Sequence, residues 1–226
     1  MNQPPAQARI RVVVLGAAPD PAAIDDPLLT GRERQRCAAF RREIDAARHA
    51  TGRLLARQAV HDLLGVPAQT VRIAVDADGP TRGRPRPTVD GAAVDAHVSI
   101  AHAGQVVLVA AARVPCGIDV ELVEGLASLL GNDVVFSPGE LGVLATAGSE
   151  SLALATTWWT AKEAALKALG VGLRDDPATL DARSGIITVD DPGTPTRWRI
   201  TDIPTREGHR ASLATPQDVE IEVSRH

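Results

Sequence analysis

No proline interrupts the chain between Pro27 and Pro67, although 16 prolines are scattered through its 226 residues. Proline is the residue that a helix interior tolerates least, so this window is where a long helical segment can form. The stretch from Leu28 to about Leu64 is rich in Arg and Ala. It places Leu54, Leu55, Ala59, Val60, Leu63 and Leu64 as apolar positions, and Gly65-Val66-Pro67 supplies the stop. Residues 151–169 form a second, stronger helical run that ends at Gly170 and Gly172. A third helix start is written in Phe136-Ser137-Pro138-Gly139-Glu140, where Ser137 serves as N-cap, Pro138 as first helical residue and Glu140 as capping-box partner.

The segments around these helices are short and strand-like. Residues 10–15 read as a buried strand, followed by a turn-rich connection from Pro19 to Pro27. Val71–Val75 alternates as a short strand, and 78–91 reads as turn and loop around Gly83-Arg84-Pro85-Arg86-Pro87. His97–Ile100 and Val106–Ala112, joined through Ala101-His102-Ala103-Gly104, read as a hairpin. Further β-like runs are Gly117–Leu122, Ile186–Val189, Arg197–Thr201, Ala211–Leu213 and Val219–Val223. Both halves mix a long helix with hairpins, and no strict residue-level repeat relates them.

Three Trp, two Phe and no Tyr leave the core to Ala, Val, Leu and Ile. With 44% hydrophobic and 23% charged residues the chain has material for a real core and is not a disordered type. Its length suits one domain or two small fused lobes. The net charge of −4 argues against general nucleic-acid binding. That average hides a split: residues 1–113 hold 15 arginines against 11 acids, and residues 114–226 hold 9 basic residues against 17 acids. Eight arginines crowd Arg32–Arg57, which suits either a solvated helix face or the binding of a polyanionic small molecule. Cys37 and Cys116 fit no metal or redox spacing and are expected as ordinary thiols in a reducing cytoplasm. The Val12–Ala18 run, followed by Asp20-Pro21, is too short for a signal peptide core and is expected as a first strand. No apolar stretch approaches the ~20 residues of a membrane span.

Three constellations carry chemistry. In Gly117-Ile118-Asp119-Val120-Glu121 strand alternation sends Asp119 and Glu121 to one side and Ile118 and Val120 to the core. Paired carboxylates suit either solvent or a hard divalent cation. In Trp159-Thr160-Ala161-Lys162-Glu163-Ala164-Ala165-Leu166-Lys167, Glu163 and Lys167 share a helix face, while Trp158, Ala161, Ala165 and Leu169 make an apolar stripe. Glu163 and Lys167 could be a plain surface ion pair. Against that stands the basic count: 22 of 24 basic residues are Arg, and Lys162 and Lys167 are both of the lysines. In Ser99-Ile100-Ala101-His102-Ala103-Gly104-Gln105 a turn histidine beside glycine suits either an anion contact or a local hydrogen bond.

The order of these motifs resembles the 4′-phosphopantetheinyl transferases of the larger, two-lobed Sfp-like class. The pairing of G-x-D-x-E with W-x-x-K-E-x-x-x-K some forty residues later carries the resemblance, which runs from roughly Arg32 to Gly172. It implies an α+β fold of two similar α/β lobes with antiparallel sheets. By that resemblance the lobes would be residues 1–113 and 114–226, forming a pseudo-dimer on one monomeric chain. It implies transfer of 4′-phosphopantetheine from coenzyme A to a serine of an apo acyl, peptidyl or aryl carrier protein, with release of 3′,5′-ADP. Mg²⁺, or alternatively Mn²⁺, would be held by Asp119, Glu121 and Glu163. Glu163 would act as base and Lys167 at the pyrophosphate and leaving group. Lys162 would lie near the phosphates or support the helix. His102, Arg36 and Arg48 would contact nucleotide phosphates, and Arg84 would lie beside the adenine. Cytoplasmic secondary metabolism, with no nucleic-acid or membrane partner, completes the expectation. Ala101 departs from the serine that many relatives place before the histidine. A non-catalytic coenzyme A or carrier-binding protein and a metal-dependent pyrophosphate hydrolase are the competing readings.

Overall fold

The computed structural model of the chain describes residues 9–75, 83–170, 176–189 and 197–225. It is a mixed α/β structure. The first sheet has the order β11-β1-β6-β5, from β11 (Ile221–Arg225), β1 (Ile10–Ala17), β6 (Val106–Ala112) and β5 (His97–Ala103). The second has the order β7-β10-β9-β8, from β7 (Gly117–Leu122), β10 (His209–Pro216), β9 (Arg197–Asp202) and β8 (Ile186–Thr188). All pairs in both sheets are antiparallel except β1 with β11, so the last strand of the chain lies in the sheet of its first half.

Side-chain alternation gives each sheet two apolar faces. Val12 and Val14 of β1 join Ala101, Leu108 and Ala110 in a core shared with Ile118, Val120, Ala211 and Leu213 of the second sheet. Val13 and Leu15 point the other way, into a cluster with Ala56, Ala59 and Val60 of α2 (Glu43–Leu64). Helix α4 (Ser151–Leu169) covers the far face of the second sheet with Trp158, Ala161, Ala165 and Leu169, against Phe136, Ile187 and Trp198. The few aromatic side chains of this protein are concentrated there. At the seam the edge strands β5 and β7 run side by side, and Ser99 Oγ accepts the Ile118 N–H at 3.0 Å.

The strand and helix expectations fall in place with three differences. The proline-free segment is not one helix: it breaks at residues 39–42 into α1 (Gly31–Ala38) and α2. Thr30 and Glu33 form a capping box at the start of α1, and Cys37, Phe40, Ala46 and Ala50 pack in a small cluster that folds α1 back on α2. The segment read as loop contains β3 (Pro85–Val89), which pairs with β2 (Val71–Val75); its 78–82 portion lies outside the described residues. Pro85 and Pro87 are tolerated because β4 (Ala92–Ala93) pairs only with Thr88 and Val89, which leaves the proline side of β3 unpaired. His102 lies on β5 itself, with Gly104 and Gln105 as the turn. The helix α3 (Pro138–Leu144) starts as expected, with Ser137 capping it and Glu140 closing the capping box. Gly170 ends α4 at φ 87°, while Gly172 is outside the described residues. Among the described residues no helix is long and apolar enough to cross a membrane.

Candidate active site

A cleft of about 650 Å³ opens along the seam between the two sheets and the ends of α2 and α4. Its acidic wall exists because of Gly117. A Cβ at that position would overlap the Ala164 carbonyl oxygen and stand 2.5 Å from Ala168 N, so only glycine lets α4 lie this close to β7. Small residues on the helix, Ala164 and Ala168, complete the close approach. Ile118 and Val120 then fill the shared core at 0% and 1% exposure, while Asp119 and Glu121 face the cleft with Trp159, Glu163 and Lys167 of α4.

The charges on this wall are out of balance. Lys167 Nζ donates to Asp119 Oδ1 at 2.5 Å and lies 3.4 Å from the Ile118 carbonyl oxygen. It is one ammonium among three carboxylates. Asp119 Oδ2 and Glu163 Oε1 are buried and have no hydrogen-bond partner. Burial raises the proton affinity of Asp119, with Lys167 opposing it. Glu121 is pushed up to about 7, first by burial and then by the neighbouring Asp119 charge, with Lys167 and the Trp159 indole holding it back and Glu163 adding to the rise. Glu163 is raised by burial and by Asp119, again against Lys167. Such a set is stabilised by added positive charge, and its oxygen donors match the chemistry of a hard divalent ion. Among the described residues no three acids, histidines or cysteines close into a ready-made metal cage.

The opposite wall comes from the first half of the chain. His102 lines the cleft with its outer edge exposed to solvent, and its pKa is lowered first by the partial desolvation of the ring against the cleft wall and then by the Arg48 and Lys167 charges. Arg48 lines the cleft but is tied down: Nε and Nη2 donate to the Gly104 carbonyl at 3.0 and 2.6 Å, and Nη1 to Asp45 at 2.9 Å. Arg84 lies at the other side, where Nη2 reaches the Ala168 carbonyl oxygen at 3.4 Å and His97 Nδ1 at 3.3 Å.

The cleft thus gathers Asp119, Glu121, Glu163, Lys167, His102, Arg48 and Arg84, seven of the residues singled out from the sequence. Two stand elsewhere. Lys162 is fully buried and does not line the cleft; Nζ donates to Glu140 Oε2 at 2.6 Å and to the Val135 and Pro177 carbonyls at 2.8 and 3.0 Å. Of the two roles open to it, phosphate contact is corrected to helix support, because all three ammonium donors are used inside the protein. Arg36 is exposed outside the cleft with its guanidinium 4.7 Å from the Phe40 ring centroid, so its expected phosphate contact is not formed by the cleft walls. Among the polar and aromatic residues of the cleft, His49, Arg53, Ser99 and Trp159 are given no site role of their own by the sequence reading. For His49 and Arg53 the available signal was their i, i+4 spacing on α2.

Residues 115–215 match the 4′-phosphopantetheinyl transferase superfamily, and residues 24–114 match the family described as 4′-phosphopantetheinyl transferase, N-terminal. The 4′-phosphopantetheinyl transferase psf-1 of Bacillus pumilus is 24% identical over 157 residues. That similarity covers 70% of this chain and spans 64% of the relative's length. With adjoining matches over both halves, the chain belongs to the 4′-phosphopantetheinyl transferase superfamily.

Proposed function

We propose that this protein transfers the 4′-phosphopantetheine group of coenzyme A to a serine hydroxyl of an apo acyl, peptidyl or aryl carrier protein, releasing 3′,5′-ADP. The observation that carries the reading is the cleft itself. Three crowded carboxylates and one lysine face a basic wall, with two buried carboxylate oxygens left without partners. A molecule with a pyrophosphate next to a third phosphate complements that layout. We read the two halves as lobes of a monomeric pseudo-dimer, with the cytoplasm as its compartment.

Asp119, Glu121 and Glu163 would hold Mg²⁺ or Mn²⁺, with substrate oxygens and water completing the shell. When bound, the ion supplies positive charge to the pyrophosphate oxygens and lowers the proton affinity of a nearby hydroxyl. Glu163, whose own proton affinity is raised by burial, takes the serine proton. The serine oxygen bonds to the phosphorus that carries pantetheine, and the bond from that phosphorus to the 3′,5′-ADP oxygen breaks. Lys167 faces the departing anion as a mobile point charge. His102 and Arg48 orient the nucleotide end.

The test is to incubate the protein with coenzyme A, Mg²⁺ and a panel of apo carriers and to weigh the carriers. A gain of the phosphopantetheine mass on the carrier serine is expected. No gain on carriers that a known transferase modifies rejects the reading, and release of 3′,5′-ADP without any carrier points to a hydrolase instead. In Glu163→Gln, transfer is expected to be lost with the fold intact. Normal turnover in that variant removes its role as base.

A further inference from the structure

His209 is a buried histidine for which the transfer mechanism has no use. It opens β10, in the second half of the chain, and is only 6% exposed. Its Nδ1 lies 3.1 Å from the Glu207 carbonyl oxygen. A carbonyl oxygen can only accept, so Nδ1 carries the ring proton and Nε2 keeps a bare lone pair. That Nε2 is buried and has no hydrogen-bond partner among the described residues. A buried polar atom without a partner lowers stability where an apolar side chain of similar size would not, so the ring at this position asks for a reason.

The bare edge of the ring faces the first half of the chain. A Cβ on Gly104 would stand 2.8 Å from Nε2 and 3.5 Å from Cε1, so the imidazole packs directly against this glycine. Gly104 opens the two-residue turn between β5 and β6 at φ 51°, in the left-handed region. Its carbonyl oxygen is the one that takes both Nε and Nη2 of Arg48. The remaining amino group of Arg48 goes to Asp45 on its own helix, so among the described residues Gly104 is its one hydrogen-bond partner outside α2. His209 itself does not line the cleft. It stands behind the turn that holds Arg48, and it comes from the half of the chain that builds the acidic wall.

We infer that His209 is a positioning residue: by bracing Gly104 it fixes the direction of Arg48, and so sets coenzyme A affinity without touching the ligand. This rests on the coenzyme A reading and goes beyond it by tying one wall of the cleft to a side chain of the other half. Close-packed contacts transmit displacement, so a gap behind Gly104 becomes play in its carbonyl oxygen and in the guanidinium bonded to it.

Calorimetry with coenzyme A on the full chain tests it, in wild type, His209→Asn, Arg48→Ala and the double variant. Asn can still donate to the Glu207 carbonyl but is too short to reach Gly104, which spares the fold. His209→Asn is expected to bind about fivefold more weakly and Arg48→Ala about tenfold more weakly, while the double variant should match Arg48→Ala within about twofold, because the brace has nothing to act on once the guanidinium is gone. Gly104→Ala, whose methyl meets Nε2 from the other side, is the second variant and should show the same dependence on Arg48. Losses that multiply when either variant is combined with Arg48→Ala, or wild-type affinity in His209→Asn, overturn the inference and leave the coenzyme A reading intact. A wild type that does not bind coenzyme A overturns both.

Discussion

Lys167 Nζ stands 2.5 Å from Asp119 Oδ1, so the last turns of α4 are joined to β7 by the one ammonium that three carboxylates share. The lysine is itself 30% exposed and can leave this contact; Asp119, at 6%, is fixed in the wall. A divalent ion attracted to the same carboxylates has to compete with that ammonium.

Lys167→Met should therefore bind Mn²⁺ more tightly than wild type in the absence of substrate. Two unit charges 4 Å apart interact by ~4 kcal/mol at an effective dielectric of 20, so a gain of about tenfold in affinity, ~1.4 kcal/mol, is a conservative expectation. The free Mn²⁺ signal in electron paramagnetic resonance at pH 8 reads it directly. Transfer to a carrier should fall in the same variant by at least ~100-fold, in line with losing a group that stabilises developing charge. Unchanged or weaker Mn²⁺ binding would separate Lys167 from the metal position.

Gly117 makes the pairing of Lys167 with Asp119 geometrically possible. In Gly117→Ala the new methyl meets the α4 backbone at Ala164 and Ala168, which cannot rotate away as a side chain could. A stability loss of about 3 kcal/mol is expected from overpacking of this kind. Urea unfolding measures it. A loss under about 0.5 kcal/mol, within the range of neutral surface changes, would show that α4 shifts freely.

The parts of this site that could be read from the sequence are those whose chemistry is local. Strand alternation alone assigns Asp119 and Glu121 to one face and Ile118 and Val120 to the other, and helical spacing alone pairs Glu163 with Lys167. The Ser137 cap was legible for the same reason. What was not legible depends on long-range folding. The α1–α2 break brings Glu33 to Arg53 and Arg57, 20 and 24 residues away, and nothing in an Arg-rich helical pattern marks which arginines will be buried. Lys162 and Lys167 look equivalent in sequence, yet they emerge on opposite sides of α4, one sealed against Glu140 and the other in the cleft. The strand β3 was hidden by its own prolines, which read as loop until an unpaired edge is known.

The different fates of the two lysines can be tested. Lys162→Met leaves Glu140 with no exposure and without its ammonium partner. Removing one member of a buried ion pair costs about 3–5 kcal/mol, so the midpoint of urea unfolding should drop accordingly. Because Lys162 does not line the cleft, coenzyme A affinity of the folded variant, measured well below the transition, should remain within about twofold of wild type. A large loss of affinity with normal stability would return Lys162 to the ligand.

Glu121 sets a pH dependence whose sign is opposite to that of an ordinary salt-bridged acid. Its folded-state pKa, pushed up to about 7, lies above the ordinary 4.5, so the folded protein holds a proton that the unfolded chain releases. The associated stability is fully present below pH 4.5 and is lost as pH rises through 7; Asp119 and Glu163 are raised too and act in the same direction. Without divalent ions, the protein should become less stable between pH 5 and pH 8, and Mn²⁺ should restore stability at the upper end. Metal binding must displace the Glu121 proton below pH 7, so affinity should climb with pH by up to about tenfold per unit for one proton and level off above 7. Glu121→Gln should flatten both the stability profile and the pH dependence of Mn²⁺ affinity. Thermal unfolding and Mn²⁺ titration across pH 5.5–8.5 check the two curves, and a metal-free protein whose stability rises over that range would contradict the assignment of these carboxylates as a crowded, cation-seeking set.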